Sequence, residues 1–123
     1  MDREEIKPMH HLFTYVDKKE LYGTDRLESI FLFNRQLGEV VQIPDDFIVN
    51  NPTFLYGYET HWESPHDTSC GLCYYGITII PFESLSAFTQ RIQLDQYYRE
   101  LSSLVNLCST ARNNHLDILH WGM

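Results

Sequence analysis

The sequence predicts a single α+β domain in which a small, mostly antiparallel sheet is packed by about three helices. The chain has 123 residues, a common size for one domain, and its 43% of hydrophobic residues suffices for a core. Short β-branched and aromatic segments alternate with segments of helical periodicity. We expect a flexible N-terminal tail over residues 1–8 and one domain over residues 9–123, because no repeat or linker divides the sequence.

The first half of the chain is predicted to contain a strand, a helix and a long irregular segment. Residues 11–16 (HLFTYV) fit a strand or a short helix, because their periodicity is compatible with both. Apolar residues at helical spacing predict a helix over about 25–37, with a strand centred on 30–33 as the alternative. Residues 44–72 are rich in Pro, Gly, Asp and Asn, which predicts loops and short strands, one of them at 53–58.

The second half is predicted to continue with a strand, two helices and a final strand. Residues 74–80 (YYGITII) have the strongest strand character in the chain, and Pro81 ends that strand. Apolar residues recur at helical spacing over 82–92 and again over 94–111. Residues 116–121 (LDILHW) close the chain as a short apolar strand.

The charge distribution is the most informative functional feature of the sequence. No lysine or arginine occurs between Arg35 and Arg91. That stretch nevertheless holds seven acids: Glu39, Asp45, Asp46, Glu59, Glu63, Asp67 and Glu83. It also holds nine aromatic residues: Phe47, Phe54, Tyr56, Tyr58, Trp62, Tyr74, Tyr75, Phe82 and Phe88. An anionic, aromatic surface repels phosphate backbones and attracts basic proteins, although many acidic faces only keep a protein soluble.

This pattern predicts a basic protein partner and excludes other partner classes. With a net charge of −8, we expect neither nucleic-acid binding nor association with an anionic membrane. The predicted partner-binding residues are five acids that speed the encounter and three aromatic anchors. They are Asp45, Asp46, Glu59, Glu63 and Asp67, together with Tyr56, Tyr58 and Trp62.

A metal site is the alternative interpretation of the same region. His61, His66, Cys70 and Cys73 offer the nitrogen and sulfur ligands that zinc prefers, so a zinc-stabilised or small-ligand-binding domain is the second hypothesis. Pro65 disfavours the helix on which paired histidines usually bind a metal, and the gap between His66 and Cys70 is short. A domain of this size needs no metal to fold, so we expect no cofactor.

We also expect no enzymatic activity. The Cys70–Cys73 motif resembles that of thioredoxins in two cysteines and one glycine only, and it precedes a predicted strand instead of a helix N-terminus. Acids near His61 and His66 could act in acid–base catalysis, but such proximity is common in acidic proteins. No nucleophile elbow, P-loop or dinucleotide-binding glycine pattern occurs, and no catalytic residue is predicted.

In overall character the chain resembles the immunity proteins of bacterial toxin systems, such as those against contact-dependent growth-inhibition toxins. The resemblance consists of the small size, the acidic stretch from Gln36 to Gln90 without lysine or arginine, and the lack of catalytic motifs. It implies an inhibitor that blocks the active or substrate-binding site of a basic, nuclease-like toxin. No residue is matched to a family signature, and immunity proteins share no single fold.

The expected location is the cytoplasm. The N-terminal residues are charged and lack the apolar region of a secretory signal, and no apolar run approaches the roughly 18 residues of a membrane span. Three cysteines are a small, odd set that suits a reducing compartment. We expect a monomer or a small homo-oligomer.

Overall fold

The structure is a computed structural model that describes residues 10–23, 27–50, 57–93 and 101–122. Within these ranges six strands form one antiparallel sheet of order β2-β1-β6-β5-β3-β4. The strands are β1 (His10–Val16), β2 (Val41–Pro44), β3 (Glu59–Trp62), β4 (Ser69–Cys70), β5 (Ile77–Ile80) and β6 (Asp117–Trp121). The helices are α1 (Lys18–Gly23), α2 (Glu28–Gln36), α3 (Asp45–Asn50), α4 (Leu85–Gln93), after a 3-10 turn at Phe82–Ser84, and α5 (Ser102–Asn113). The predicted α+β class is therefore confirmed.

Helices cover both faces of the sheet, so the described residues form three layers. On one face, Phe13 and Ile118 belong to a core cluster with α4 and α5. On the other face, Leu12 and Leu119 belong to a second cluster with α1 and α2. Side chains of successive strand residues point to opposite faces, which is why neighbouring residues of one strand enter different clusters.

Burial on both faces explains the continuous apolar character of the central strands. All four residues of β5 are buried, and β6 is buried over four of its five residues. Such strands lose the alternation of apolar and polar residues that marks a half-exposed strand. Because this alternation is missing, the sequence did not distinguish a strand from a helix at residues 11–16. The structure shows that they belong to β1.

Three local predictions need correction. Residues 28–36 form the expected helix, so the alternative strand at 30–33 is wrong. The segment predicted as loops and short strands contains α3, whose two initial acids favour a helix N-terminus and whose Ile48 enters the core. The strand predicted from residue 74 starts at Ile77, because residues 74–76 form a turn.

Of the two helices predicted in the second half, one lies wholly within the described residues and the other extends beyond them. The helix predicted over 82–92 matches the 3-10 turn and α4. The helix predicted over 94–111 matches α5 from Ser102 onward, and residues 94–100 lie outside the described ranges. The tail over residues 1–8 and most of the strand predicted at 53–58 lie outside them as well.

Candidate protein-binding surface

The strand register places several chain segments at one end of the sheet. Four register pairs define this end: His10 with Pro44, Leu12 with Trp121, Trp121 with Ile77, and Thr78 with Trp62. The start of α3, the turn before β5 and the loop after β3 therefore lie side by side. We call this region the acidic end and define it by Asp45, Asp46, Glu63, Asp67 and Tyr75.

The acidic end carries exposed negative charge across much of the sheet. Asp46, Glu63 and Asp67 are exposed, and Asp45 is partly exposed. Four strand-to-strand steps separate β2 from β3, so at about 4.8 Å per step the acids span about 20 Å. Neither lysine nor arginine occurs in the described segments that form this end, which are residues 10–11, 44–47, 62–69, 73–77 and 121–122.

An exposed aromatic side chain projects from the middle of the acidic end. Tyr75 is 79% exposed, the largest value among the exposed large hydrophobic residues of the described chain. Its ring packs edge-to-face against Tyr74, with ring centroids 4.7 Å apart. Such a pair limits the freedom of the Tyr75 side chain before any partner arrives.

The turn that presents Tyr75 is fixed from two sides. The Gly122 N–H donates to the Gly76 carbonyl at 2.7 Å, and the Ile77 N–H donates to the Glu63 carboxylate at 2.8 Å. Glu63 has a φ of +66°, a conformation rarely adopted by residues other than glycine. A side chain at Gly122 would meet the backbone of the turn, so close packing also holds the turn on the end of β6. Tyr75 thus stands on a rigid base.

A series of hydrogen-bonded, mostly buried polar side chains lies beneath this surface, and we call it the polar chain. The sequence analysis did not predict it. His11 Nε2 lies 2.8 Å from Asp45 Oδ1, and His11 Nδ1 lies 2.8 Å from His120 Nε2. His120 Nδ1 lies 3.2 Å from Thr78 Oγ1, which accepts the Cys73 N–H at 2.7 Å. With both imidazoles neutral, one tautomer assignment satisfies these three imidazole contacts: each Nε2–H donates and each Nδ1 accepts.

The polar chain ends at Asp45, which joins α3 to the turn before β5. The Tyr74 hydroxyl donates to Asp45 Oδ1 at 2.6 Å. Desolvation acts to raise the pKa of Asp45, but the hydrogen bonds from Tyr74 and His11 outweigh it, so the pKa lies below its ordinary value. The same hydrogen bond from Tyr74 to the carboxylate raises the pKa of Tyr74 to about 12. Asp45 is therefore ionised at neutral pH and binds the two elements together.

The polar chain has the residue types of a catalytic relay but not the accessibility. His11 and His120 are both 0% exposed, so a substrate could not approach either imidazole without a rearrangement of the sheet face. Thr78 is buried as well. We interpret the polar chain as a structural support for the acidic end.

Of the other four predicted partner-binding residues, Glu59 and Tyr58 lie away from the acidic end, whereas Trp62 lies at that end but is partly covered. Glu59 is exposed but begins β3, at the opposite end of the sheet. Tyr58 is a core residue packed against Phe88, with ring centroids 5.3 Å apart, so we remove it from the predicted anchors. Trp62 is half-buried, and its Nε1–H donates to the Gly71 carbonyl at 2.9 Å. Tyr56 lies outside the described residues.

The four candidate zinc ligands do not converge. The His61 Nδ1–H donates to the Asp67 carbonyl at 2.5 Å, whereas Cys70 is exposed and Cys73 is half-buried. Burial is the main cause that raises the pKa of the Cys73 thiol. Within the described residues, which include all four candidates, no group of three or more His, Cys, Asp or Glu residues could hold a metal ion. The geometry of the described residues therefore gives no support to the zinc hypothesis.

Comparison with known proteins adds no identification. No protein-family model matches the sequence, and neither a search of curated proteins nor one of solved structures returned a match.

In the described part of the chain, no helix has both the length and the apolar character required to cross a membrane.

Proposed function

We propose that this chain is a non-enzymatic binding protein that docks a basic partner protein on its acidic end. One observation carries the proposal. The strand register places Asp46 at the same end of the sheet as Glu63, Asp67 and the exposed Tyr75, and the described segments of this end contain neither lysine nor arginine.

The acids and the tyrosine have different roles in this proposal. Exposed acids attract a basic partner over a Debye length of about 8 Å at physiological salt, and so speed the encounter. Tyr75 supplies the buried contact area that dominates binding energy in many interfaces. Because its turn is already fixed, little conformational freedom is lost when the partner binds. A surface about 20 Å wide suits an interface of about 800 Å² per partner.

We further propose that the partner is a basic toxin domain, nuclease-like in its surface charge, which this protein inhibits in the cytoplasm. Carboxylates spaced along a surface can occupy a cleft built to bind phosphates, and so block the active or substrate-binding site. The support for this narrower statement is the charge pattern and the resemblance in character to toxin immunity proteins.

The test begins with affinity capture from the source cell at low and at high salt. A basic protein recovered at low salt is then measured against the triple variant Asp46→Asn, Glu63→Gln and Asp67→Asn. These amides keep the carbonyl oxygens that accept local hydrogen bonds, so the fold should be retained. We expect the dissociation constant to rise at least about tenfold and its salt dependence to weaken.

A matched control removes the same amount of charge at other exposed positions. The variant Glu20→Gln, Glu59→Gln and Glu83→Gln changes the net charge equally but leaves the acidic end intact. It should bind within about twofold of the unmodified protein. Equal loss in both triple variants would show that net charge matters instead of this surface. Full binding by the first triple variant would refute the proposal.

A further inference from the structure

The outer face of α2 carries an exposed apolar patch that the proposed function does not use. Leu32, Phe33 and Leu37 are 52%, 59% and 56% exposed. They are three of the five exposed large hydrophobic residues in the described chain, and they lie within six consecutive positions. Ile30 and Phe31 hold the other side of the helix against the sheet, so Leu32 and Phe33 face away from the core, whereas Leu37 caps the helix on the side of Ile30. Contiguous exposed apolar side chains of this kind commonly mark interaction sites.

Two opposite charges, Glu28 and Arg35, lie before and after Leu32 on α2, and their spacing places both on one side of the helix. Glu28 lies in the first turn of α2 and Arg35 in its last turn. They are seven positions apart, which is two helical turns or about 10 Å along the axis, so they project from the same side of the helix. Both residues are exposed, and within the described residues neither forms an ion pair.

We propose that the patch binds a second copy of this chain through an antiparallel pairing of the two α2 helices. In a two-fold antiparallel pair, the same side of each helix faces its counterpart and the sequence order is reversed. Glu28 of one copy then meets Arg35 of the other, and the contact occurs twice. Leu32 lies between these two positions and falls near the two-fold axis, while Phe33 packs beside it.

Self-complementarity is the reason for choosing a second copy over another partner. One acid and one base at opposite ends of the same helix side form a pattern whose best complement is its own reverse. Each copy carries a net charge of −8, so long-range repulsion opposes association and the dimer should be weak and concentration-dependent.

Analytical ultracentrifugation of the full chain over a range of concentrations tests the proposal. We expect a reversible monomer–dimer equilibrium, and Phe33→Glu should raise the dissociation constant at least about tenfold. The matched control is Val49→Glu on α3, also an exposed apolar residue at 49%, which should leave the equilibrium unchanged. Because both side chains are exposed, circular dichroism should show that both variants keep the native fold.

A charge exchange at α2 tests the geometry itself. Glu28→Arg alone places like charges opposite each other in the homodimer, and so does Arg35→Glu alone. Each single variant should therefore dimerise about tenfold more weakly than the unmodified chain. An equimolar mixture of the two should form heterodimers readily, because arginines on one copy then face glutamates on the other.

The outcomes separate the possibilities. A monomer at every concentration would overturn the proposal and leave the patch to another occupant, such as the chain's own first nine residues or a different protein. A dimer that survives Phe33→Glu would place the contact elsewhere. A mixture that associates no better than the single variants would overturn the antiparallel arrangement.

Discussion

Asp45→Ala is the sharpest test of the buried polar chain, because this one carboxylate connects α3, β1 and the turn that carries Tyr75. Asp45 accepts hydrogen bonds from Tyr74 at 2.6 Å and from His11 at 2.8 Å, and its side chain is only 17% exposed. A hydrogen bond to a charged group contributes about 1.5–3 kcal/mol. The Tyr74 hydroxyl can be rehydrated at the surface, so we expect a total loss of about 3 kcal/mol, mostly from the His11 contact.

Urea denaturation and thermal unfolding measure this loss directly. For a domain of this size, about 3 kcal/mol corresponds to a decrease in Tm of about 10 °C. Asp45→Asn keeps one acceptor oxygen and should cost about half as much. The matched control is Asp46→Ala, one position further along α3, where the carboxylate is exposed and makes no hydrogen bond to a described residue. It should change the free energy of unfolding by less than about 0.5 kcal/mol.

The pH dependence provides an independent check with a definite sign. The pKa of Asp45 is lower in the folded protein than in the unfolded chain. Its ionised form therefore stabilises the fold above the unfolded pKa of about 3.9, and this stabilisation is lost as the pH falls through the folded pKa. The advantage of the unmodified protein over Asp45→Asn should be constant from about pH 5 to 7 and should shrink below about pH 4.

Two results would refute this reasoning. If Asp45→Ala costs no more than Asp46→Ala, the polar chain contributes nothing measurable to stability. If the difference between the unmodified protein and Asp45→Asn grows as the pH falls, the Asp45 carboxylate is not the ionised acceptor that the geometry indicates.

The remaining predictions concern an ion pair and a close backbone contact. Asp117 is 1% exposed and accepts both 2.9 Å contacts of the half-exposed Lys18 ammonium group. Lys18→Met leaves this buried carboxylate without its counter-charge, so chemical denaturation should show a loss of about 3 kcal/mol. A loss under about 1 kcal/mol would mean that the Lys18 contact does not offset the burial of the carboxylate. Gly122→Ala should lower Tm because the new Cβ meets the Tyr74 carbonyl, whereas Gly23→Ala, with open space around it, should leave Tm unchanged or higher. A Tm for Gly122→Ala that equals that of Gly23→Ala would contradict the close contact.

Local features of the fold were largely accessible from the sequence. Helical spacing of apolar residues predicted α2 and α4, because periodicity over two or three turns depends on neighbouring residues alone. The helix α3 was missed, since six residues are too few to show a period. Residues of β1 stayed ambiguous because a strand buried on both faces has no alternation to detect.

The sequence by itself determined that this protein is a small acidic α+β chain whose negative charge is concentrated in its middle. Only the tertiary structure decided which acids share a surface. Glu59 and Glu63 are four positions apart, yet a strand advances about 3.3 Å per residue and carries them to opposite ends of the sheet. Asp46 and Glu63 are far apart in the chain, but the strand register places both at the same end of the sheet. His11 and His120, separated by 109 positions, come within 2.8 Å because β1 and β6 are neighbours, and no local pattern encodes that pairing.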